Sequence, residues 1–165
     1  MADLCGIRVS RVSCQAQSGR VFPFLPFDPP HSAQTAEDLM LLQKHVLILL
    51  AGKAAEERAL PGITNVRQAH LYDYYQSGGA RDLISRWTTS TWESGTELAL
   101  WERKVESVFA DDCVWRAVCQ VVSMLDAAET VDHGEKSLDG VEVHHVLARL
   151  IPSEKRKAFR ECAFG

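Results

Sequence analysis

The chain has 165 residues, of which 46% are hydrophobic and 24% are charged, a composition typical of one globular domain spanning 1–165. Its net charge of −4 disfavours a nucleic-acid or anionic-lipid surface, since either needs clustered Lys and Arg. The five cysteines form no C-x-x-C pair and are odd in number, which disfavours a zinc knuckle or a disulfide framework. We therefore expect a cytoplasmic protein with reduced thiols, no nucleic-acid partner and no membrane segment, because no apolar run approaches about 20 residues.

The N-terminal third predicts a small β-sheet followed by a helix. "GIRVSRVSC" at 6–14 alternates apolar and polar residues as a half-buried strand does. "RVFPFLP" at 20–26 could be a second strand, but its two prolines demote it to an edge strand or loop. Thr35 and Asp38 then have the spacing of a capping box, which predicts a helix that ends near Leu60 before a Pro-Gly pair.

The rest of the chain predicts further helices and hence a mainly α (α+β) fold. The first helix is apolar on every face over 46–51, which predicts a buried central helix containing Leu49, Leu50 and Ala54. A helix is expected at 80–89, after a Gly pair. Two apolar stripes at 98–109 and 114–125 predict an antiparallel helical hairpin that buries Trp101, Val105, Val118 and Val121. A loop, "DHGEKSLDG", precedes a short helix at 141–150, and 152–165 predicts a charged tail helix.

The sequence lacks the common catalytic motifs. The sequence contains no H-E-x-x-H zinc motif, no G-x-S-x-G elbow and no G-x-x-x-x-G-K-[ST] nucleotide loop. His144 and His145 are adjacent and project about 100 degrees apart on a helix, so they cannot chelate one ion together, and we expect a surface or core role for each. His70 and Asp73 have i, i+3 spacing, which is a weak metal signal by itself.

Three motifs, in order, resemble the peptidase domain of the FtsH-type ATP-dependent zinc metallopeptidases. They are "VLILLAGKAAEERAL" at 46–60, "SGGARDLISRW" at 77–87 and "KSLDGVEVHHVL" at 136–147. The family has a buried helix that ends in G-[RK]-A-A-E-E. A T-x-G-A-x-N-D-L loop and an L-[DS]-G-E-E-[VL] motif follow before its last short helix. Order and spacing agree over about residues 7–151, and this implies a helical, FtsH-peptidase-like domain with a small N-terminal sheet.

The resemblance implies a role for Asp82. In the family, zinc is held by two histidines of the H-E-x-x-H helix and by the aspartate of the N-D-L motif. Asp82 occupies the position of that aspartate, so the resemblance implies that it is a vestigial or partial zinc ligand. An aspartate in a first helical turn is kept ionised by exposed backbone donors and the helix dipole. From the residues alone, the favoured role of Asp82 is a cap of its helix rather than a metal ligand.

The resemblance also bears on Glu56 and Glu57, which end the apolar helix. In the family this acidic pair lies close to the zinc helix, where one glutamate could hydrogen-bond a ligating histidine. The alternative is a pair of solvent-facing carboxylates that Lys53 and Arg58 neutralise. The residues themselves leave both readings open.

The chain departs from the family at the catalytic motif. Only "MADLC" precedes the first predicted strand, where the family has H-E-x-x-H. A catalytic zinc needs three protein ligands and an open position, so Asp82 alone cannot hold one. We therefore expect no catalytic residue, no cofactor in this chain although the family uses zinc, and no peptidase activity. The family's AAA ATPase module and membrane helices are missing as well.

Two hypotheses remain. The chain is either a truncated part of an active zinc metalloendopeptidase whose H-E-x-x-H lies upstream, or a stand-alone non-catalytic module for binding or assembly. The resemblance begins almost at residue 6, which favours truncation. The segments 23–34 and 65–82 depart from the family sequences, the second lacking the Asn before Asp82, which favours the stand-alone module. The resemblance implies a homo-oligomer or an AAA ATPase partner on another chain.

Overall fold

The computed structural model describes residues 1–15, 35–62, 96–130 and 134–164. These residues form a mainly helical protein with a two-stranded antiparallel sheet, as the sequence predicts. In chain order the elements are β1 (Arg11–Gln15), α1 (Ala36–Ala59), α2 (Thr96–Ala110), α3 (Asp112–Ala127), β2 (Glu135–Asp139), α4 (Gly140–Leu150) and α5 (Ser153–Phe164). None of the helices in these ranges is long and apolar enough to cross a membrane.

The chain divides into two compact units. The first comprises Asp28–Ala110 with Met1 and Cys162–Gly165, and contains α1 and α2. The second comprises Ala2–Phe27 and Asp111–Glu161, and contains the sheet, α3 and α4. Each unit has its own buried residues, so each is described separately.

Both ends of α1 are set by the residues that the sequence singled out. The Thr35 hydroxyl accepts the Asp38 backbone N–H over 3.2 Å, and the Asp38 carboxylate accepts the Thr35 backbone N–H over 3.1 Å. These two bonds satisfy donors that a helix start leaves open, which confirms the predicted capping box. At the other end the Leu60 N–H donates to the Glu56 carbonyl over 2.8 Å, and Gly62 follows with a φ of 86°.

The first unit is built on α1 packed along α2. Its buried side chains are Val46, Leu47, Leu50, Ala51 and Ala54 on α1 and Trp101, Val105 and Phe109 on α2. The prediction of a buried central helix is confirmed for Leu50 and Ala54 but is wrong for Leu49, which is half-buried. Because α1 is apolar on every face, the sequence could not show which of two adjacent leucines faces α2.

Asp111 separates α2 from α3. Its backbone is extended (φ −68°, ψ 126°), and its carboxylate accepts the N–H groups of Cys113 and Val114 as an N-cap. The two helices are therefore distinct, as predicted. They belong to different units, so their antiparallel pairing stays a prediction. Val118 and Val121 are half-buried, whereas we expected them to be buried.

The sheet of the second unit pairs residues far apart in sequence. Val12 lies opposite Leu138 and Ser13 opposite Ser137 in the antiparallel register. The sequence predicted a loop at 132–140, and this is wrong for β2, because its strand conformation comes from pairing with β1 rather than from local alternation. The strand predicted at 20–26 lies outside the described residues.

The core of the second unit lies between the sheet and two helices. Leu125 of α3, Leu138 of β2 and Val143 of α4 form a buried cluster against which Val12 and Leu147 pack. Ile151, directly after α4, is fully buried, and its N–H donates to the Leu147 carbonyl over 2.9 Å. The predicted short helix and tail helix are both present, beginning one residue from the predicted starts.

Candidate functional site

Some of the residues predicted from the sequence lie outside the described ranges. Asp82 is one of them, so its assignment as a vestigial or partial zinc ligand stays a prediction. His70 and Asp73 lie outside these ranges as well. Glu56 and Glu57 are described, in the last turns of α1, where Glu56 is half-buried and Glu57 is exposed.

Lys53 connects the acidic end of α1 to α2. Its Nζ lies 2.8 Å from Oε1 of Glu102, and both side chains are less than one-third exposed. Partial burial by itself lowers the pKa of Lys53, but the hydrogen bond and charge of Glu102, with the charges of Glu57 and Glu106, raise this pKa above its ordinary value. Glu57 thus acts as one of three countercharges of a helix-bridging lysine.

Arg58 makes a second connection between the same helices. Its guanidinium Nη1 donates to the carbonyl oxygen of Phe109, in the last turn of α2. Carbonyls at a helix C-terminus lack intrahelical partners, so a cation there also interacts favourably with the helix dipole. Beside this contact lies a shallow cavity of 330 Å³, lined by Glu57, Arg58 and Glu106 among others. The motif at 52–58 therefore holds α1 against α2.

His45, also on α1, is half-buried and its Nδ1 atom has no hydrogen-bond partner among the described residues. Burial lowers the pKa of His45 below its ordinary value, so the ring is neutral at pH 7. A neutral imidazole is the form that binds metals. Within the described ranges, however, no group of three or more His, Cys, Asp or Glu side chains could hold a metal ion.

The "LDG" motif at 138–140 forms the start of α4. The Asp139 carboxylate accepts the Val141 N–H over 2.7 Å, and the Glu142 carboxylate accepts the Asp139 N–H over 3.0 Å. The Gly140 N–H donates to the Ser10 carbonyl over 2.8 Å. A Cβ on Gly140 would collide with the Val9 carbonyl oxygen, so only glycine allows this approach. These three residues of the motif have a structural role.

A different polar group lies in the second unit, at the N-terminal turn. Asp3 Oδ1 lies 2.9 Å from Nδ1 of His144 on α4. Because a carboxylate only accepts, this contact places a proton on Nδ1. The Arg160 guanidinium donates to the backbone carbonyls of Leu4 over 3.0 Å and of Asp3 over 3.4 Å. Leu4 and Cys5 are buried, so the turn is tightly docked.

Next to this turn the second unit has a cleft of 590 Å³. Its apolar wall consists of Ile7, Val9, Val141, Val143 and Leu147. Its ionisable residues are Asp3, Arg8, Asp139, His144 and Arg160. Pockets that bind small molecules have this combination of a mostly apolar surface and a few polar groups, in volumes of roughly 300–1,000 Å³.

A second charged cluster ties α3 to α5. Lys155 Nζ lies 2.5 Å from the Asp111 carboxylate and 3.8 Å from Sγ of Cys113. The hydrogen bond from Lys155, with those from Cys113 and Val114, holds the pKa of Asp111 below its ordinary value. The same bond raises the pKa of Lys155. Arg116 Nη2 lies 3.6 Å from the same Cys113 Sγ.

Sequence reasoning missed the cleft and its Asp3–His144 pair. The two residues are 141 positions apart, and nothing in the motif at 136–147, which contains His144, points to Asp3, so no local signal marks their contact. His144 was expected to have a surface or core role, and it is exposed while contacting Asp3. The approach of the N-terminal turn to α4 comes from tertiary packing alone.

Comparisons of the chain with protein-family models, with curated proteins and with solved structures find no match.

Proposed function

We propose that this chain is a non-catalytic relative of the FtsH-type peptidase domain, kept for binding or assembly. The proposal rests on the three motifs quoted above. The main structural support is the role of the "LDG" motif, which forms the start of α4 at a position where only glycine fits. The presence of this motif therefore needs no catalytic site. The AAEE segment likewise supplies Glu57 beside the Lys53–Glu102 ion pair, and Arg58 follows it with a contact to Phe109.

The proposed absence of catalysis rests on ligand chemistry. A zinc peptidase site needs three ligands and a carboxylate base that takes the proton of the bound water. The sequence offers Asp82 and no H-E-x-x-H motif. One carboxylate gives at most a weak site, because each missing ligand removes a large part of the binding free energy.

The proposed absence of catalysis is tested by metal analysis together with a casein-degradation assay. We expect less than stoichiometric zinc and no cleavage, with the same result for Asp82→Asn. One zinc per chain together with Asp82-dependent cleavage would refute the proposal. In that case the hypothesis of an active zinc peptidase would be supported, and the remaining zinc ligands would have to be identified.

The binding part is tested by light scattering on the purified chain, alone and mixed with a purified FtsH-type ATPase. The family resemblance implies a homo-oligomer or an ATPase partner, so we expect one of these two complexes. A chain that stays monomeric in both samples would contradict an assembly role. We also propose a cytoplasmic location, because the five cysteines are all free thiols, including the buried Cys5.

A further inference from the structure

Two carboxylates and two guanidinium groups line the 590 Å³ cleft of the second unit. Both carboxylates have hydrogen-bond partners, since Asp3 Oδ1 contacts His144 and Asp139 caps α4, while Asp3 Oδ2 is buried without a partner among the described residues. Its two guanidinium groups have no carboxylate partner in the described ranges. Arg8 makes no hydrogen bond there, and Arg160 donates only to neutral backbone carbonyls.

The apolar wall of the cleft is partly exposed to solvent. Val9 and Leu147 are half-buried, and Val141 is 50% exposed although it is a large apolar residue. An occupant that covers these side chains would gain binding free energy in proportion to the apolar area that it removes from water. The cleft thus favours a ligand with an apolar body and a single negative end.

We propose that this cleft binds a small apolar monocarboxylate, held at its charged end by Arg8 and Arg160. Guanidinium groups are suited to this partner, because their planar donors match both oxygens of a carboxylate. Arg160 uses Nε and one Nη2 hydrogen on the N-terminal turn, which leaves donors of its outer nitrogens for the ligand. The backbone contacts hold Arg160 in place before the ligand arrives.

His144 also lines the cleft. Its Nδ1 is committed to Asp3, so its Nε2 is the ring atom left for a ligand. The other ionisable residues that line the cleft are Asp3, Arg8, Asp139 and Arg160.

The proposal is tested by isothermal titration calorimetry of the whole chain with octanoate, 1-octanol and acetate. Octanoate carries both the apolar body and the charge, whereas each of the other two lacks one of them. We expect octanol to bind about tenfold more weakly, for the loss of one charged hydrogen-bonded contact. Acetate should bind about a hundredfold more weakly or not at all, since it lacks the alkyl chain.

Variants assign the binding to the cleft. Arg8→Gln should weaken octanoate about tenfold, and Val141→Glu should weaken it at least as much by placing a negative charge on the wall. Arg8 and Val141 are both exposed, so neither variant removes a core contact. Lys157→Gln is the matched control: it removes an exposed cation from the same helix as Arg160, away from the cleft, and should leave the affinity within twofold.

Three results would overturn the proposal. Octanol that binds as tightly as octanoate would show a purely apolar surface, and acetate that binds as tightly would show a general anion site. An unchanged octanoate affinity in Arg8→Gln, with circular dichroism like that of the original protein, would place the binding elsewhere. None of these results bears on zinc or casein cleavage, so they leave the proposed function untouched.

Discussion

The backbone N–H of Gly140 donates to the carbonyl oxygen of Ser10 over 2.8 Å, which joins the first turn of α4 to the residue before β1. The contact links two segments 130 positions apart and lies beside the Asp139 cap. It explains why the motif at 138–140 needs an aspartate followed by a glycine. A capping side chain is required at position 139, and a residue without a Cβ is required at position 140.

Gly140→Ala should destabilise the second unit. The new Cβ would collide with backbone atoms of Val9 and Ser10, which cannot move aside as a flexible side chain could. We expect the free energy of unfolding to fall by about 3 kcal/mol, the upper end for overpacking. Urea unfolding followed by circular dichroism measures it. Val141→Ala, a neighbouring change at a half-exposed site, is the control and should cost less than about 1 kcal/mol.

Leu49 and Leu50 form a matched pair on α1. Leu50 is 2% exposed, whereas Leu49 is half-buried. Leu50→Ala should lower the free energy of unfolding by about 2 to 5 kcal/mol, because it leaves a cavity in a filled core. Leu49→Ala should cost clearly less. Equal losses for the two variants in the same denaturation experiment would mean that α1 packs with a different face.

The Lys53–Glu102 ion pair should contribute weakly and in a pH-dependent way. Its partners are 29% and 21% exposed, so a double-mutant cycle with Lys53→Met and Glu102→Gln should give a coupling of about 0.5 to 1 kcal/mol. The pKa of Lys53 is raised above 10.5 in the folded protein. The contribution of this ion pair to the free energy of unfolding is therefore complete below pH 10.5. It is lost as the pH rises through the pKa that Lys53 has in the folded protein. A coupling that does not fall as the pH is raised further into the alkaline range would contradict this assignment.

Asp111 should make stability depend on pH at the acidic end. Its folded pKa lies below the ordinary value of 3.8, chiefly because of Lys155. Its contribution is thus present above pH 3.8 and is lost as the pH falls through the folded value. At pH 7, Asp111→Ala should reduce the free energy of unfolding by about 1 kcal/mol through the lost N-cap. Thermal unfolding of both proteins between pH 7 and pH 2.5 should show this difference shrinking. Asp112→Ala, one residue along and exposed, is the control.

The helix boundaries were largely predictable because they depend on local chemistry. Thr35 and Asp38 are three residues apart, and their capping box forms wherever that spacing starts a helix. The start of α4 at Asp139 and the tail helix after Pro152 follow from similar short-range rules. The buried side of α2 was also predicted at Trp101 and Val105, since its stripe is amphipathic.

The errors of prediction share a different cause. Local alternation did not mark β2, because 135–139 is a strand only through its pairing with β1. The apolar pattern of α1 could not separate Leu49 from Leu50, since all of its faces are apolar. The apolar stripe of α3 overestimated the burial of Val118 and Val121, because a stripe does not show how much of the apolar face of a helix other elements cover.

What the sequence by itself determined is the mainly helical class, the caps of α1 and the lack of an H-E-x-x-H motif, since each of these depends on residues within a few positions of one another. Only the tertiary structure decided the pairing of β1 with β2, the contact of Asp3 with His144 and the cleft that contains Arg8 and Arg160. Those features join residues more than 100 positions apart. Their proximity is set by the packing of the whole second unit, for which no short stretch of sequence carries a signal.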